Sequence, residues 1–221
     1  MPTALITGAG GGIGSAIATA LAPTHSLLLA GRPSRRLDAV AQRLRAETVS
    51  LDLTDADAIR DVAAAVDELD VLVHNAGVSI PSYVGDSRIE DWRTTFDVNV
   101  IGAVALTLAL LPVLRRSQSH VVFINSGSGR KVSPGMASYS ASKFALRSFA
   151  DSLQQDEPAV RVTTVFPGRT DTDMQHELVA FEGGEYDAAK FLRPETVAGV
   201  VATAVATPAD GDVHEIVLRP R

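Results

Sequence analysis

Short apolar runs recur along the chain at 3–7, 26–30, 48–53, 69–73, 120–125, 160–166 and 214–218. Continuous rather than alternating apolar character predicts strands buried on both faces, as in a parallel sheet. Between them lie segments with helical spacing, at 15–21, 35–46, 55–66, 89–114, 137–155 and 194–206. Several carry start signals: Ser34 stands before 35–46 as an N-cap, Thr54 opens 55–66, and Pro194 takes the first helical position of the last segment. Strand and helix alternate throughout. With right-handed crossovers this predicts an α/β fold, a doubly wound parallel sheet of about seven strands with helices on both faces. No repeat, low-complexity tract or linker interrupts the order, so 1–221 reads as a single domain.

The least regular segment, 169–193, includes Gly183-Gly184 and follows the sixth strand. Open α/β sheets bind ligands beyond the carboxyl ends of their strands, so this segment is read as a mobile substrate flap. It holds Met174, Leu178, Val179, Phe181 and Phe191 beside Glu177, Glu182 and Glu185, which points to an apolar or neutral substrate rather than an anion.

Composition narrows the function classes. At 46% hydrophobic and 21% charged, the 221 residues have enough apolar surface to fold and are not disordered. The absence of cysteine excludes disulfides, thiolate metal sites and cysteine nucleophiles. His25, His120, His176 and His214 show no ligand spacing, so no metal is expected. Twenty basic against 26 acidic residues, a net charge of −6, argue against a nucleic-acid partner. The longest apolar stretch, 100–114, has 15 residues interrupted by Thr107 and Pro112. That is short of the roughly 18 to 20 that span a bilayer. No basic leader precedes the first strand, and a soluble, cytoplasmic protein without a membrane partner is expected.

Thr7-Gly8-Ala9-Gly10-Gly11-Gly12-Ile13-Gly14 joins the first strand to the first helix. Glycines there permit positive φ and close backbone approach, and the helix N-terminus offers free N–H groups to a pyrophosphate. A Gly-x-Gly-x-x-Gly register starting at Gly8 fails because it requires glycine at Ile13, whereas Thr-Gly-x-x-x-Gly-x-Gly fits at Thr7, Gly8, Gly12 and Gly14. In this spacing the sequence resembles the short-chain dehydrogenase/reductase family, over essentially its whole length, and the implied fold is Rossmann-type. Gly10, Gly11 and Ile13 join the other loop residues as expected cofactor neighbours. An acid ending the second strand suits the ribose hydroxyls of NAD; here Gly31 and then Arg32 follow Ala30, which suits a 2′-phosphate. NADP(H) is therefore the expected cofactor, with NAD(H) as the alternative.

The resemblance implies that Asp52 and Leu53 hold the adenine and that Asn75, Ala76 and Gly77 neighbour the cofactor, while His74 is structural. It also implies that Pro167, Gly168, Thr170 and Thr172 lie beside the nicotinamide, Thr170 through its backbone and Thr172 through its hydroxyl.

Tyr139 and Lys143 stand four apart on a predicted helix, so phenol and ammonium share a face. Reduction of a carbonyl needs a proton at oxygen while hydride reaches carbon. A free phenol, with pKa about 10, is a reluctant acid–base group, and a neighbouring cation brings it towards the operating range. The same lysine can reach the nicotinamide ribose. Of the two serines after the fifth strand, Ser126 and Ser128, family spacing favours Ser126 as the group orienting the substrate oxygen (139 − 126 = 13). Asn99 falls inside a helical run, where asparagine often bends the helix. By resemblance it holds a water that passes protons to Lys143. Trp92 and Phe96 read as packing. The apolar face of 100–114 packs on a partner subunit in relatives, which implies a homodimer or homotetramer.

These readings converge on an NADP(H)-dependent oxidoreductase interconverting a small-molecule carbonyl and a secondary alcohol. The alternatives are a non-catalytic dinucleotide-binding regulator, an NAD-dependent dehydrogenase of the same family, and an extended-branch epimerase, which uses a different glycine spacing.

Overall fold

Seven strands, β1 (Thr3–Thr7), β2 (Ser26–Gly31), β3 (Glu47–Ser50), β4 (Val71–His74), β5 (His120–Ile124), β6 (Arg161–Phe166) and β7 (Glu215–Val217), form one sheet in the order β3-β2-β1-β4-β5-β6-β7. Every pairing is parallel. The computed structural model describes residues 1–208 and 210–221. From β1 the chain winds outward to β3, then returns to lay β4 on the other side of β1. That reversal opens a crevice at the carboxyl ends of β1 and β4, where doubly wound sheets take their ligands.

Successive side chains of a strand point to opposite faces, which divides the core into two layers. Leu5, Leu72, Val121 and Phe123 pack against α3 (Ala56–Ala65), α5 (Ala103–Ser117) and α6 (Ala137–Asp156). Ala4, Ile6, Val73 and Val122 face α1 (Gly12–Leu21), α2 (Arg35–Leu44) and α8 (Pro194–Val205). Each fully buried leucine or isoleucine in these layers contributes about 1.5–3 kcal/mol.

The elements match the predicted order, with four instructive differences. Helix α3 is capped by Asp55, not Thr54: Asp55 accepts from the amides of Asp57 (2.9 Å) and Ala58 (3.3 Å), while the Thr54 hydroxyl donates to Asp52. Strand β3 stops at Ser50; Leu51, whose amide still donates to Gly31 O (3.0 Å), and Leu53 are buried beyond its end. The segment predicted as one helix at 89–114 is α4 (Ile89–Phe96), a π-helical turn (Asp97–Gly102) and α5 in succession. This 29-residue run is long and apolar enough to span a bilayer by length and composition, more than the 15-residue stretch implied, but half of its most apolar window is buried, with Leu106, Leu110 and Leu114 fully enclosed.

The fourth difference lies at 169–193, read as irregular. It contains α7 (Asp173–Phe181) and is pinned at its base, where Asp171 N donates to Leu192 O (2.8 Å) and Leu192 N to Arg169 O (2.9 Å). Thr172 caps α7 by accepting from Gln175 N, and Asp173 adds favourable charge in the first turn.

Candidate active site

The glycine loop closes against the end of β4. Gly8 has φ +64°, and a Cβ there would lie 2.9 Å from Ala76 Cα. A Cβ on Gly14 would meet Gly8 O at 2.3 Å, so only glycine lets α1 start this close to the loop. Thr7 and Asn75 stitch the two loops together. Thr7 Oγ1 accepts from the amides of Asn75 (3.0 Å) and Ala76 (3.1 Å), and Asn75 Nδ2 donates to Thr7 O (3.1 Å) and Gly8 O (3.2 Å). Helix α1 has no side-chain cap, so its first-turn amides remain available to an anion.

A cavity of about 540 Å³ runs from this loop past Gly31 and Arg32 to Asp52 and Leu53, and past Asn75, Ala76 and Gly77. Its glycine cradle, bare helix terminus and elongated course fit a dinucleotide. Not every expected cofactor neighbour lies on its wall. Gly10 packs against Leu37 of α2, with a hypothetical Cβ 3.2 Å from its amide, and Gly14 is enclosed by Gly8 and Asn75. Both shape the loop from behind. Asp52 accepts from Thr54 N (2.9 Å) and Thr54 Oγ1 (2.7 Å); those bonds, and more weakly the Arg32 charge, hold its carboxyl below the usual range. Arg32 itself is exposed at the cavity rim. Thr170 and Thr172 spend their hydroxyls locally, on Gly168 O (3.0 Å) and Thr170 O (3.1 Å).

A second cavity, about 500 Å³, is lined by Ser126, Tyr139, Pro167, Gly168 and Thr170, and shares Ile13, Thr172 and Met174 with the first. Tyr139 and Lys143 project from α6 as their spacing predicts, both more than nine-tenths buried. Lys143 Nζ donates to Ile124 O (3.1 Å) and lies 5.7 Å from the centre of the Tyr139 ring. Burial pushes the Tyr139 phenol above its ordinary value, and the adjacent Ser126 hydroxyl pulls it partly back. The expected lowering by Lys143 does not prevail: burial also depresses Lys143, to about 8, weakening the cation meant to help.

Asn99 sits where the π-helical turn swings it inward. Its Nδ2 donates to Val78 O (2.8 Å) and Ser142 Oγ (3.0 Å), and its Oδ1 accepts from Val78 N (2.8 Å). Both amide hydrogens are committed, and the side chain clamps the loop after β4 to α6. Gly77 makes room: a Cβ there would stand 3.2 Å from Asn99 Oδ1 and 3.7 Å from Lys143 Nζ.

Two contributors escape sequence reasoning. Asn125 accepts from Ser126 N (2.8 Å) and donates to Lys143 O (3.0 Å), tying the end of β5 to α6. Arg219 and Pro220, at the carboxyl terminus, fold back onto the second cavity. His74, by contrast, is structural as read: it stacks on Phe123 at 4.9 Å between ring centres and bonds Thr107 (2.8 Å), and burial lowers its pKa to about 3. Among the described residues no cluster could hold a metal ion.

The model of the short chain dehydrogenase family matches residues 2–183. The chain belongs to the short-chain dehydrogenase/reductase family. It is 35% identical over 227 aligned positions to an uncharacterized oxidoreductase of Staphylococcus epidermidis, covering 98% of this chain and 96% of that protein. It is 36% identical to the glycine betaine reductase of Emericella nidulans, covering 99% of this chain but 18% of that much longer protein. Among solved structures it is similar to an alcohol dehydrogenase of Thermococcus sibiricus complexed with 5-hydroxy-NADP (TM-score 0.90, 28% identity, 100% of this chain and 97% of that one). A 3-oxoacyl-(acyl-carrier-protein) reductase of Agrobacterium tumefaciens with NADP bound is also similar (TM-score 0.87, 28% identity, 99% and 93%).

As a short-chain dehydrogenase/reductase, the protein is an NAD(P)-dependent oxidoreductase. The second cavity differs from the flap-based expectation. Helix α7 turns Met174, Gln175 and Leu178 to the cavity, while Glu177 and Glu185 lie off its wall and Glu182 pairs with Arg169 (2.7 Å). The charged residues on the wall are Lys131, Arg169 and Arg219.

Proposed function

We propose that this oxidoreductase interconverts a carbonyl and a secondary alcohol with NADP(H), using Tyr139 as general acid and base. The observation that carries the reading is the meeting of the two cavities at Ile13, Thr172 and Met174, with Tyr139 and Ser126 on the wall of one and the glycine loop on the other. A nicotinamide bound across that junction supplies or accepts the hydride. For reduction, the Ser126 hydroxyl holds the substrate oxygen and the Tyr139 phenol gives it a proton as the carbon gains hydride. In the reverse direction the phenolate takes the alcohol proton. Lys143 balances the phenolate charge, and Asn99 and Asn125 hold the loops that frame it.

The preference for NADP rests on Arg32 at the cavity rim and on Gly31 where an acid would repel a phosphate. The archaeal dehydrogenase complexed with 5-hydroxy-NADP and the Agrobacterium reductase with NADP bound favour the same reading. For assembly, we place a subunit contact at Ile101 and Leu108, each 57% exposed on the long apolar helix. Light scattering checks it.

The test is turnover of purified protein with NADPH and NADH against ketones, aldehydes and secondary alcohols. Oxidation of NADPH by a ketone, abolished in Tyr139→Phe, is the expected result. Cofactor binding without turnover of any of them would favour the non-catalytic regulator.

A further inference from the structure

The chain carries a net charge of −6, yet the cavity onto which Tyr139 and Ser126 open has Lys131, Arg169 and Arg219 on its wall and, among the described residues, no aspartate or glutamate. The three cations differ in what they have to offer. Arg169 is paired with Glu182 and lies over the Phe191 ring, so its charge is largely answered. Lys131 stands exposed at the mouth. Arg219 is held in place: Nη1 donates to Phe166 O (3.2 Å) and Leu218 O (2.8 Å), while Nη2 and Nε have no partner among the described residues. No carboxylate pairs with Lys131 or Arg219 among those residues.

The position of that guanidinium relative to the reacting centre is set by Gly127. A Cβ at Gly127 would lie 3.3 Å from Arg219 Nη1 and 3.4 Å from Nη2, so the guanidinium rests over the residue that follows Ser126. Gly127 is the residue next to Ser126, its Cα about 3.8 Å away, so Arg219 and Ser126 line the same part of one cavity. A guanidinium with one edge tethered and the other free is suited to forked recognition of a carboxylate. Two further polar atoms on lining residues, Ser79 Oγ and Gln175 Nε2, are buried without hydrogen-bond partners. Buried polar groups are rarely left so, and an oxygen-rich ligand would supply the missing acceptors.

We propose that the substrate is a short oxo acid, or the corresponding hydroxy acid, whose carboxylate is bound by Arg219 while its carbonyl is held by Ser126. This rests on the carbonyl–alcohol reading of the same site. Lys131 adds attraction for the incoming anion. The glutamates of the flap do not oppose it, because Glu177 and Glu185 lie off the cavity wall and Glu182 is paired with Arg169.

The test uses matched probes. With NADPH, 4-oxopentanoate and its methyl ester are compared as substrates; separately, pentanoate and pentanamide are titrated calorimetrically into the protein. The acid should exceed the ester at least about tenfold in kcat/KM, and pentanoate should bind at least about tenfold more tightly than pentanamide. Both ratios should shrink with added salt and collapse in Arg219→Met, with partial recovery in Arg219→Lys. Because each ratio is internal to one protein sample, a partly unfolded variant does not mimic the result. Ketone turnover with no acid preference would overturn the proposal and leave the carbonyl reading intact. Arg219-dependent pentanoate binding without turnover of either ketone would uphold the anion site and sink the carbonyl reading. Neither binding preference nor turnover overturns both.

Discussion

Asn99 grips both backbone groups of Val78, accepting from its amide and donating to its carbonyl, each at 2.8 Å. The pair imitates one rung of a β-ladder, made by a side chain. It fastens the loop that follows β4, which lines the cofactor cavity, to a helix whose neighbour Ser142 lies one residue from Lys143. Ser142 in turn donates to Tyr139 O (2.7 Å), so the clamp reaches α6 and the backbone of Tyr139.

Asn99→Ala should therefore act first on structure. It leaves the half-buried amide and carbonyl of Val78 and the buried Ser142 hydroxyl short of a partner, each loss costing up to about 1–3 kcal/mol, the full amount only where water cannot enter. Urea unfolding should show a clear drop in midpoint, and the KM for NADPH should rise along with the fall in kcat. A fall in kcat with stability and KM unchanged would instead favour a proton-relay role.

What could be read in the sequence, and what could not, follows from the range of each interaction. Strands such as Val121-Val122-Phe123 declare themselves because burial on both faces leaves no polar position. Tyr139, Lys143 and Ser126 are legible as candidates because helix spacing and strand-end position are local properties. Helix α7 is hidden in the sequence because Gly183-Gly184 marks its segment as irregular, although the Thr172-Asp173 start is present. The contacts of Asn125 and Arg219, and the basic wall of the second cavity, depend on segments distant in sequence. No local pattern encodes them.

His74 offers a clean test of the buried layer. Burial holds its pKa at about 3, and that of His120 at about 4, against 6.5 when unfolded. Between those values the unfolded chain binds more protons than the folded one, so stability is full above pH 6.5 and falls as pH drops towards 4. Each histidine contributes a slope of about 1.4 kcal/mol per pH unit. His74→Asn should remove one of the two, and urea titrations from pH 7 to 4.5 should show a flatter acid limb than wild type. Parallel limbs would mean that His74 is protonated in the fold.

Cofactor choice turns on Arg32. If the guanidinium forks onto the 2′-phosphate, Arg32→Ala should weaken NADPH by about 1.5–3 kcal/mol and leave NADH nearly unchanged. Gly31→Asp should move preference towards NADH by repelling the phosphate. Fluorescence titration with both cofactors checks each variant. Equal losses for both, or none, would leave Arg32 as a solvated charge at the start of α2.

The proton donor is the most demanding prediction. Tyr139→Phe removes one oxygen and keeps the ring, so fold and NADPH affinity should survive while kcat falls by about 10²- to 10⁴-fold. Losing the Ser126 hydroxyl as well should cost less than the two single losses combined, because both groups act on one substrate oxygen. Lys143 adds a pH signature. Its pKa of about 8 keeps it cationic below that value, where it can balance a phenolate; as pH rises through about 8 it loses the proton and the counter-charge with it. The Tyr139 phenol, raised by burial, stays protonated over the same range. Ketone reduction should thus hold level from about pH 6 to 7.5 and decline above about 8, and Lys143→Met should remove that inflection along with most of the rate. A Tyr139→Phe variant retaining more than about a tenth of wild-type kcat, with NADPH binding intact, would mean that another group protonates the alkoxide. The buried phenol would then be only a wall of the cavity, and Ser126 or water would have to supply the proton.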